Sequence, residues 1–337
     1  MTTTPPQHML DHDTYPELAD GTVPADQMTL RPQNNYTNVL VLRELQSHAV
    51  FTTNGQDADL ANVAVGDGDE RAEYSPGLMF MRKQTGSDRR FGKALQRQLD
   101  LFDDDGDECT MQVNEMCQDC PECILYGSAA GDDAVSITSR VRYDTAYSLR
   151  DATVVVDEKF QNAPGGDYAK GAEATIREPD FFEPGTLFPC VVTLGDATPA
   201  ELAFVLGITR KNKRYGAATS RLGRTKNHVL GVYVGSEEGP ANLELTRDAI
   251  RGLRDDETTD YETIRDVTSA ENLDPSLVGD HVRERFESRV EADGLDLSRV
   301  STETVSELID TATGEEFGDV LATQRERSRE FLAGVTE

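Results

Sequence analysis

Seven cations fall in a stretch from which every acid is excluded. Between Leu202 and Ser236 the chain has no Asp or Glu, yet it carries Arg210, Lys211, Lys213, Arg214, Arg221, Arg224 and Lys226. The chain as a whole has 62 acidic and 33 basic residues, so this run departs sharply from its background. Clustered cations of this kind attract phosphate chains. Tyr215 offers a ring on which a base can stack. Gly216 and Gly223 allow a backbone to approach closely, and Thr219, Ser220, Thr225 and Asn227 add uncharged hydrogen-bonding groups. Two other readings stay open: a solvated basic face paired with the acidic surface, and a phosphate-metabolite site, although P-loop spacing is missing. Arg82 to Arg97 holds six bases against the single acid Asp88. Arg140 and Arg142 alternate in a β-rich run and so share one face. These last two groups are either further binding residues or ordinary surface.

The second chemical feature is sulfur. Cys109, Cys117, Cys120 and Cys123 follow the spacing C-x7-C-x2-C-x2-C, and Cys190 stands apart in an apolar run. Four thiolates this close can enclose one tetrahedral Zn2+, and a closed four-sulfur site is structural because it leaves no position for substrate. An iron–sulfur cluster and a metal-free loop remain as alternatives, the former because C-x2-C-x2-C also occurs in ferredoxins. Such clustering makes poor material for a disulfide framework. Asp103, Asp105 and Gly106 hint at a calcium loop, but Leu101 and Gln112 occupy the first and twelfth ligand positions, and the pattern fails. No Ser/His/Asp or Cys/His constellation is present, so the sequence predicts no catalytic site.

These residues need elements to hold them. Asn38 to Leu45 reads as a strand, Asp88 to Leu101 as a helix, and Ser136 to Val156 as two β-rich runs. Leu187 to Leu194 is a further strand. Thr198, Pro199 and Glu201 then spell a capped helix start. His228 to Val234 is a strand, and Leu243 to Leu253 a helix. Helices follow near 275–291, 301–312 and 315–333. Residues 53–72 and 162–171 read as loops, and 255–274 as an exposed acidic stretch. The order suggests an α+β fold with a split β-α-β core. The domain reading is a mobile tail over 1–35, a core over 36–253 with a cysteine-rich loop inserted at 103–130, and an acidic helical region over 254–337.

The formal net charge of −29 normally argues against nucleic acid. The acids, however, are scattered among apolar residues of normal periodicity, as on the hydrated surfaces of proteins from salt-accumulating halophiles. In molar salt the Debye length shrinks to about 3 Å, and only local charge matters. There is no apolar run of membrane-spanning length and no secretory signal pattern, so the expected location is the cytoplasm, with no membrane partner.

The runs CPECILYGSA (120–129), SITSRVRYDTAYSL (136–149), FPCVVTL (188–194) and RYGAATSRLGRTKNHVLGV (214–232) closely resemble the type I-D backbone subunits of the Cas-seven superfamily of CRISPR proteins. The resemblance covers roughly residues 36–253, and no motif beyond about 255 matches. It implies a modified RRM palm, to which the readings above add large insertions, a zinc-bound cysteine loop and a helical C-terminal region. It also implies a non-cleaving scaffold that binds CRISPR RNA in several copies within a Cascade-like complex. Target DNA is then met through the guide and other Cascade subunits are partners. The RNA-contacting role maps onto Arg210, Lys211, Lys213, Arg214, Tyr215, Arg221, Arg224 and Lys226. The related type III backbones cleave RNA with an acidic loop residue, and nothing here marks such a residue. A metal-dependent ribonuclease and a zinc-stabilised interaction module are the competing functions.

Overall fold

The computed structural model describes residues 10–28, 31–102, 109–112, 115–129, 136–158, 160–162, 175–216 and 222–336. An antiparallel sheet of six strands organises them. β1 (Tyr36–Leu45) is central, flanked by β3 (Leu187–Gly195) and β5 (Gly223–Gly235). β2 (Val141–Tyr143) borders β3. The outer edge of β5 is shared by β4 (Arg214–Tyr215) at its start and β6 (Leu297–Arg299) at its end.

The sheet is central because its strands are apolar on both faces. Val39, Val41 and Leu45 face one side with Phe188, Cys190, Val192 and Leu194. Leu40 and Leu42 face the other with Leu187, Val191 and Tyr233. The β1–β5 register runs from Leu40 opposite Gly231 to Val41 opposite Val229, leaving Leu230 as a bulge. That bulge shifts the alternation by one residue, so Val229 before it and Val232 and Val234 after it join the same cluster.

Helices cover both faces. The first carries α1 (Met81–Gln98), α2 (Pro121–Tyr126), α3 (Pro199–Lys211), α7 (Thr302–Thr313) and α8 (Phe317–Thr336). The second carries α4 (Asn242–Asp255), α5 (Ile264–Thr268) and α6 (Pro275–Asp293). The start of α3 follows its sequence: Thr198 Oγ1 accepts from the Glu201 amide, and the Glu201 carboxylate accepts from the Thr198 amide at 2.9 Å.

Several expectations change. Residues 10–28 pack against the body, burying Tyr15, Leu18 and Val23, because those apolar side chains fill the rim of the first-face core. The run ATVVV begins as one helical turn, Ala152–Val155; Asp151 caps it by accepting from the Thr153 amide, and the cap overrides β-branched propensity. Residues 53–72 include a strand, Val63–Val65, paired with Ala72–Tyr74. The stretch 255–274 contains α5 and buries Ile264, Val267 and Leu273. Nor is the C-terminal region separate: α6 and α7 carry core residues of both faces, and β6 joins the sheet. The loop predicted at 162–171 lies, from 163 on, outside the described residues.

Candidate nucleic-acid interface and metal centre

The acid-free segment folds into the end of α3, β4 and the start of β5. In the β4–β5 pair Arg214 stands directly opposite Arg224, both exposed. Like charges in directly opposed positions destabilise a sheet. Lys226 is exposed one alternation further along β5, and Arg210 is exposed at the end of α3. Lys213 donates to the Arg210 carbonyl at 2.6 Å. Burial holds the Lys213 ammonium below its usual range, and the nearby charges of Arg210, Arg224 and Lys226 push it the same way. Lys211 reaches back to the Thr313 carbonyl at 3.5 Å. Among the described residues no carboxylate pairs with Arg210, Lys211, Lys213, Arg214, Arg224 or Lys226, although ion pairs are plentiful elsewhere in the molecule. Arg221, Thr219 and Ser220 lie outside the described residues.

Tyr215 does not face a ligand. Its side chain is fully buried, its hydroxyl donates to Asp88 Oδ1 at 2.6 Å, and the Arg43 guanidinium lies 4.6 Å from its ring centroid. Base stacking by Tyr215 is therefore excluded in this conformation. Thr225 and Asn227 are likewise buried, and Asn227 spends its amide on the Thr209 carbonyl and on Arg43. The glycines approach protein rather than phosphate. A Cβ on Gly216, whose φ is +132°, would stand 2.9 Å from the Val50 carbonyl, and one on Gly223 would stand 2.2 Å from the Ala49 Cβ. The motif thus alternates: cations point outward, Thr225 is buried, and Tyr215 and Asn227 point into a polar cluster around Asp88 and Arg43.

The sequence reading missed Arg43 and Asp88. Asp88 also accepts from Tyr143 at 2.9 Å and from Asn212 Nδ2 at 2.8 Å, and Arg43 lies 3.7 Å away. The available signal was a lone acid inside a basic helix, which marks a buried counter-charge. The helix divides its cations accordingly. Arg82 and Arg90 are exposed, Arg82 against Thr53 and Phe80, while Arg89 and Lys93 turn inward to Glu122. Arg140 and Arg142 do not join the basic face. Arg140 pairs with fully buried Glu201, and Arg142 with Glu238. Arg142 sits opposite Thr193, which faces Asn38, whereas Lys226 faces Glu44. Six residues of strand separate the two positions, about 20 Å.

The four cysteine sulfurs gather within 4.8 Å of one another, three of them on buried residues. A tetrahedral zinc with bonds of about 2.3 Å needs sulfurs close to 3.8 Å apart, and Cys109 and Cys123 stand at 3.5 Å. The Cys117 amide donates to Cys109 Sγ at 3.2 Å and the Cys120 amide to Cys117 Sγ at 3.3 Å. Lys93 Nζ, nearly fully buried, lies 2.6, 3.2 and 3.1 Å from the sulfurs of Cys109, Cys120 and Cys123 and 2.7 Å from Glu122. Burial opposes the Lys93 charge, yet the cysteine sulfurs and Glu122 keep its ammonium above the usual range. The site therefore has four sulfur donors, amides directed at them and a cation beside them, which suits a divalent metal held by thiolates. From α8, Arg325 and Arg329 hold Asp119 in the same loop. Cys190 is a buried thiol in the core.

A mixed α/β fold, with a cationic edge that no described carboxylate neutralises and a four-sulfur cluster on the loop leading into α2, is the class these observations define. By sequence the chain belongs to the Csc2 family of CRISPR proteins, whose pattern it matches over residues 23–314. The match extends well beyond residue 253, so α4 to α7 lie within the family region. Among solved structures the chain is similar to the crystal structure of Thermofilum pendens Csc2, with a TM-score of 0.60 and 16% identity over 94% of each chain. A chain from a type IV-B CRISPR complex aligns at a TM-score of 0.39 and 14% identity, over 58% of this chain and 89% of that one. Among curated proteins none matches. No helix among the described residues is long and apolar enough to cross a membrane.

Proposed function

We propose that this chain is a guide-RNA-binding backbone subunit of a type I-D CRISPR effector complex, assembled in several copies with other Cascade subunits and stabilised by a structural zinc. The observation that carries the RNA assignment is the opposed pair Arg214 and Arg224, set among Arg210, Lys213 and Lys226 with no described carboxylate to neutralise them. A phosphodiester chain supplies the missing charge and reads no base, which suits a subunit that leaves sequence to pairing. The core order β5–β1–β3–β2, with α1 between β1 and β2 and α3 between β3 and β5, supports the modified RRM palm. Family membership supports the complex, and the sulfur spacing supports one small ion over a larger iron–sulfur cluster.

The test is to purify the full chain from its native complex and measure its affinity for a labelled single-stranded RNA over a salt series. Replacing Arg214 and Arg224 by Ala should release the bound RNA. It should also lower the slope of log affinity against log salt by about 1.4, at roughly 0.7 per phosphate contact. Retained RNA with an unchanged slope overturns the assignment. Cleavage of the RNA on adding divalent metal would favour a ribonuclease instead.

A further inference from the structure

A second concentration of arginine lies on the other face of the sheet, where nothing in the RNA reading requires it. Arg247, Arg251 and Arg254 fall at positions i, i+4 and i+7 of α4 and so form one stripe. Arg285 and Arg289 lie one turn apart on α6, and Arg71 closes the space from the turn between Val63–Val65 and Ala72–Tyr74. Between them run two adjoining cavities of about 350 and 420 Å³ that share Gly66, Asp67, Asp248, Arg251 and Arg289. The combined lining has six arginines and five carboxylates, in a chain whose formal charge is −29.

Part of this cluster is an ion-pair staple between helices. Asp248 takes both Arg251 and Arg289, and Arg254 pairs with Asp255 and Glu70. Arg285 lies 4.0 Å from Asp255, which leaves two arginines outside the staple. Arg247 makes no hydrogen bond or ion pair with a described residue, and its Nε is buried without a partner. Glu244, three residues before it on the same helix, accepts from the Ala241 amide at 3.1 Å, and Asp248 is taken by Arg251 and Arg289. Arg71 has a single contact, 3.8 Å from the largely exposed Glu73. Both guanidiniums line the same cavity as the neutralised pairs. A planar guanidinium without a carboxylate, as in Arg247, or with only a loose and exposed one, as in Arg71, is suited to bidentate binding of a phosphate.

We propose that this groove is a second phosphate-binding site, taking the phosphodiester backbone of a single nucleic-acid strand between Arg71 and Arg247. A strand fits better than a free phosphate because two cavities sharing five lining residues adjoin between α4 and α6 and are open to solvent. The site is separate from the RNA reading, since the cations of β4 and β5 contribute nothing to it.

The experiment uses the full chain and a labelled twelve-residue oligothymidylate. In an Arg214→Ala, Arg224→Ala background, which silences the first site, adding Arg71→Ala and Arg247→Ala should weaken oligonucleotide binding about tenfold. The melting temperature should stay unchanged, because neither residue belongs to the staple. Unchanged affinity overturns the proposal whatever becomes of the first site. Inorganic phosphate is the second probe. If, at equal phosphate concentration, it competes as well as the oligonucleotide binds, the groove takes small anions and the strand assignment falls.

Discussion

Replacing Asp88 with Asn tests whether the basic face is held in shape from beneath. The Asp88 carboxylate is 1% exposed and receives hydrogen bonds from Tyr143, Tyr215 and Asn212, with the fully buried Arg43 guanidinium 3.7 Å away. The amide keeps the shape and removes the charge, leaving Arg43 with only the neutral partners Gln84 and Asn227. Breaking one side of a buried ion pair costs about 3–5 kcal/mol. The hydrogen bonds to the carboxylate, worth roughly 1.5–3 kcal/mol each to a charged group, overlap with that figure rather than adding to it. An unfolding entropy of about 2.1 cal/mol/K per residue gives a chain of this length about 0.7 kcal/mol/K, so the melting temperature should fall by about 4–7 °C. Thermal unfolding followed by circular dichroism measures this. The double variant Asp88→Leu with Arg43→Met removes both charges and should recover more than half of the loss. RNA affinity should fall further in Asp88→Asn than in Leu308→Ala, a core truncation on α7 of similar cost, because Asn212 and Tyr215 flank Arg214 on either side. A melting shift below about 1 °C, or RNA affinity equal to that of the Leu308 control, would refute the reasoning.

Elemental analysis of protein purified without chelator should return about one zinc per chain, and Cys120→Ala should abolish it together with several degrees of melting temperature; a stoichiometry well below one, or iron with sulfide, removes the zinc assignment. Acid stability should depend on Asp256, whose carboxyl is held at about 2 by hydrogen bonds from the Thr258 side chain and amide and from His281. A folded value depressed below the ordinary 3.8 contributes stability that is complete above about pH 4 and is lost as the pH falls through 2. Asp256→Ala should therefore lower stability at neutral pH, with the difference from the parent chain shrinking as the pH falls from about 4 through 2, and a difference that stays constant over that range would discard the effect.

Local chemistry was legible in the sequence, and so were the elements whose signals are local. The cap at Thr198 and Glu201, the apolar run of β1 and the cysteine spacing each rest on neighbours within a few positions, and each stands in the structure. The failures share one cause. Tyr215 and Asn227 look like ligand-binding groups beside cations, but their partners, Asp88 and Arg43, are more than a hundred residues away. Arg140 and Arg142 read as neighbours on one face, yet Arg140 precedes β2 and pairs with Glu201, whereas Arg142 lies within β2 and pairs with Glu238. The arginines of α4 and α6 are spaced through an acidic region, and only packing of the helices reveals that they converge. Charge density along the chain is one-dimensional, and a binding surface is not.

The alternation in β5 explains why a chain so acidic can present a basic edge at all. From Gly223 to Asn227 the residues run buried, exposed, buried, exposed, buried. The outward set, Arg224 and Lys226, carries charge; the inward set closes on Arg43 and Asp88, which neutralise one another below the surface. Gly223 contributes by having no side chain, since any Cβ there would collide with Ala49. Between Arg210 and Asn227 an acid would cancel an outward cation or oppose the buried Asp88, while in the rest of 202–236 it would fall largely in the apolar core. In the RNA-binding reading proposed above, exclusion of Asp and Glu from 210–227 thus has two physical causes acting together, an anionic ligand outside and a buried carboxylate inside. The two separate experimentally: introducing Glu at Lys226 should weaken RNA binding with little change in melting temperature, whereas introducing Glu at Asn227 should lower both, and equal stability of the two variants would show that the inner half of the motif is not under this constraint.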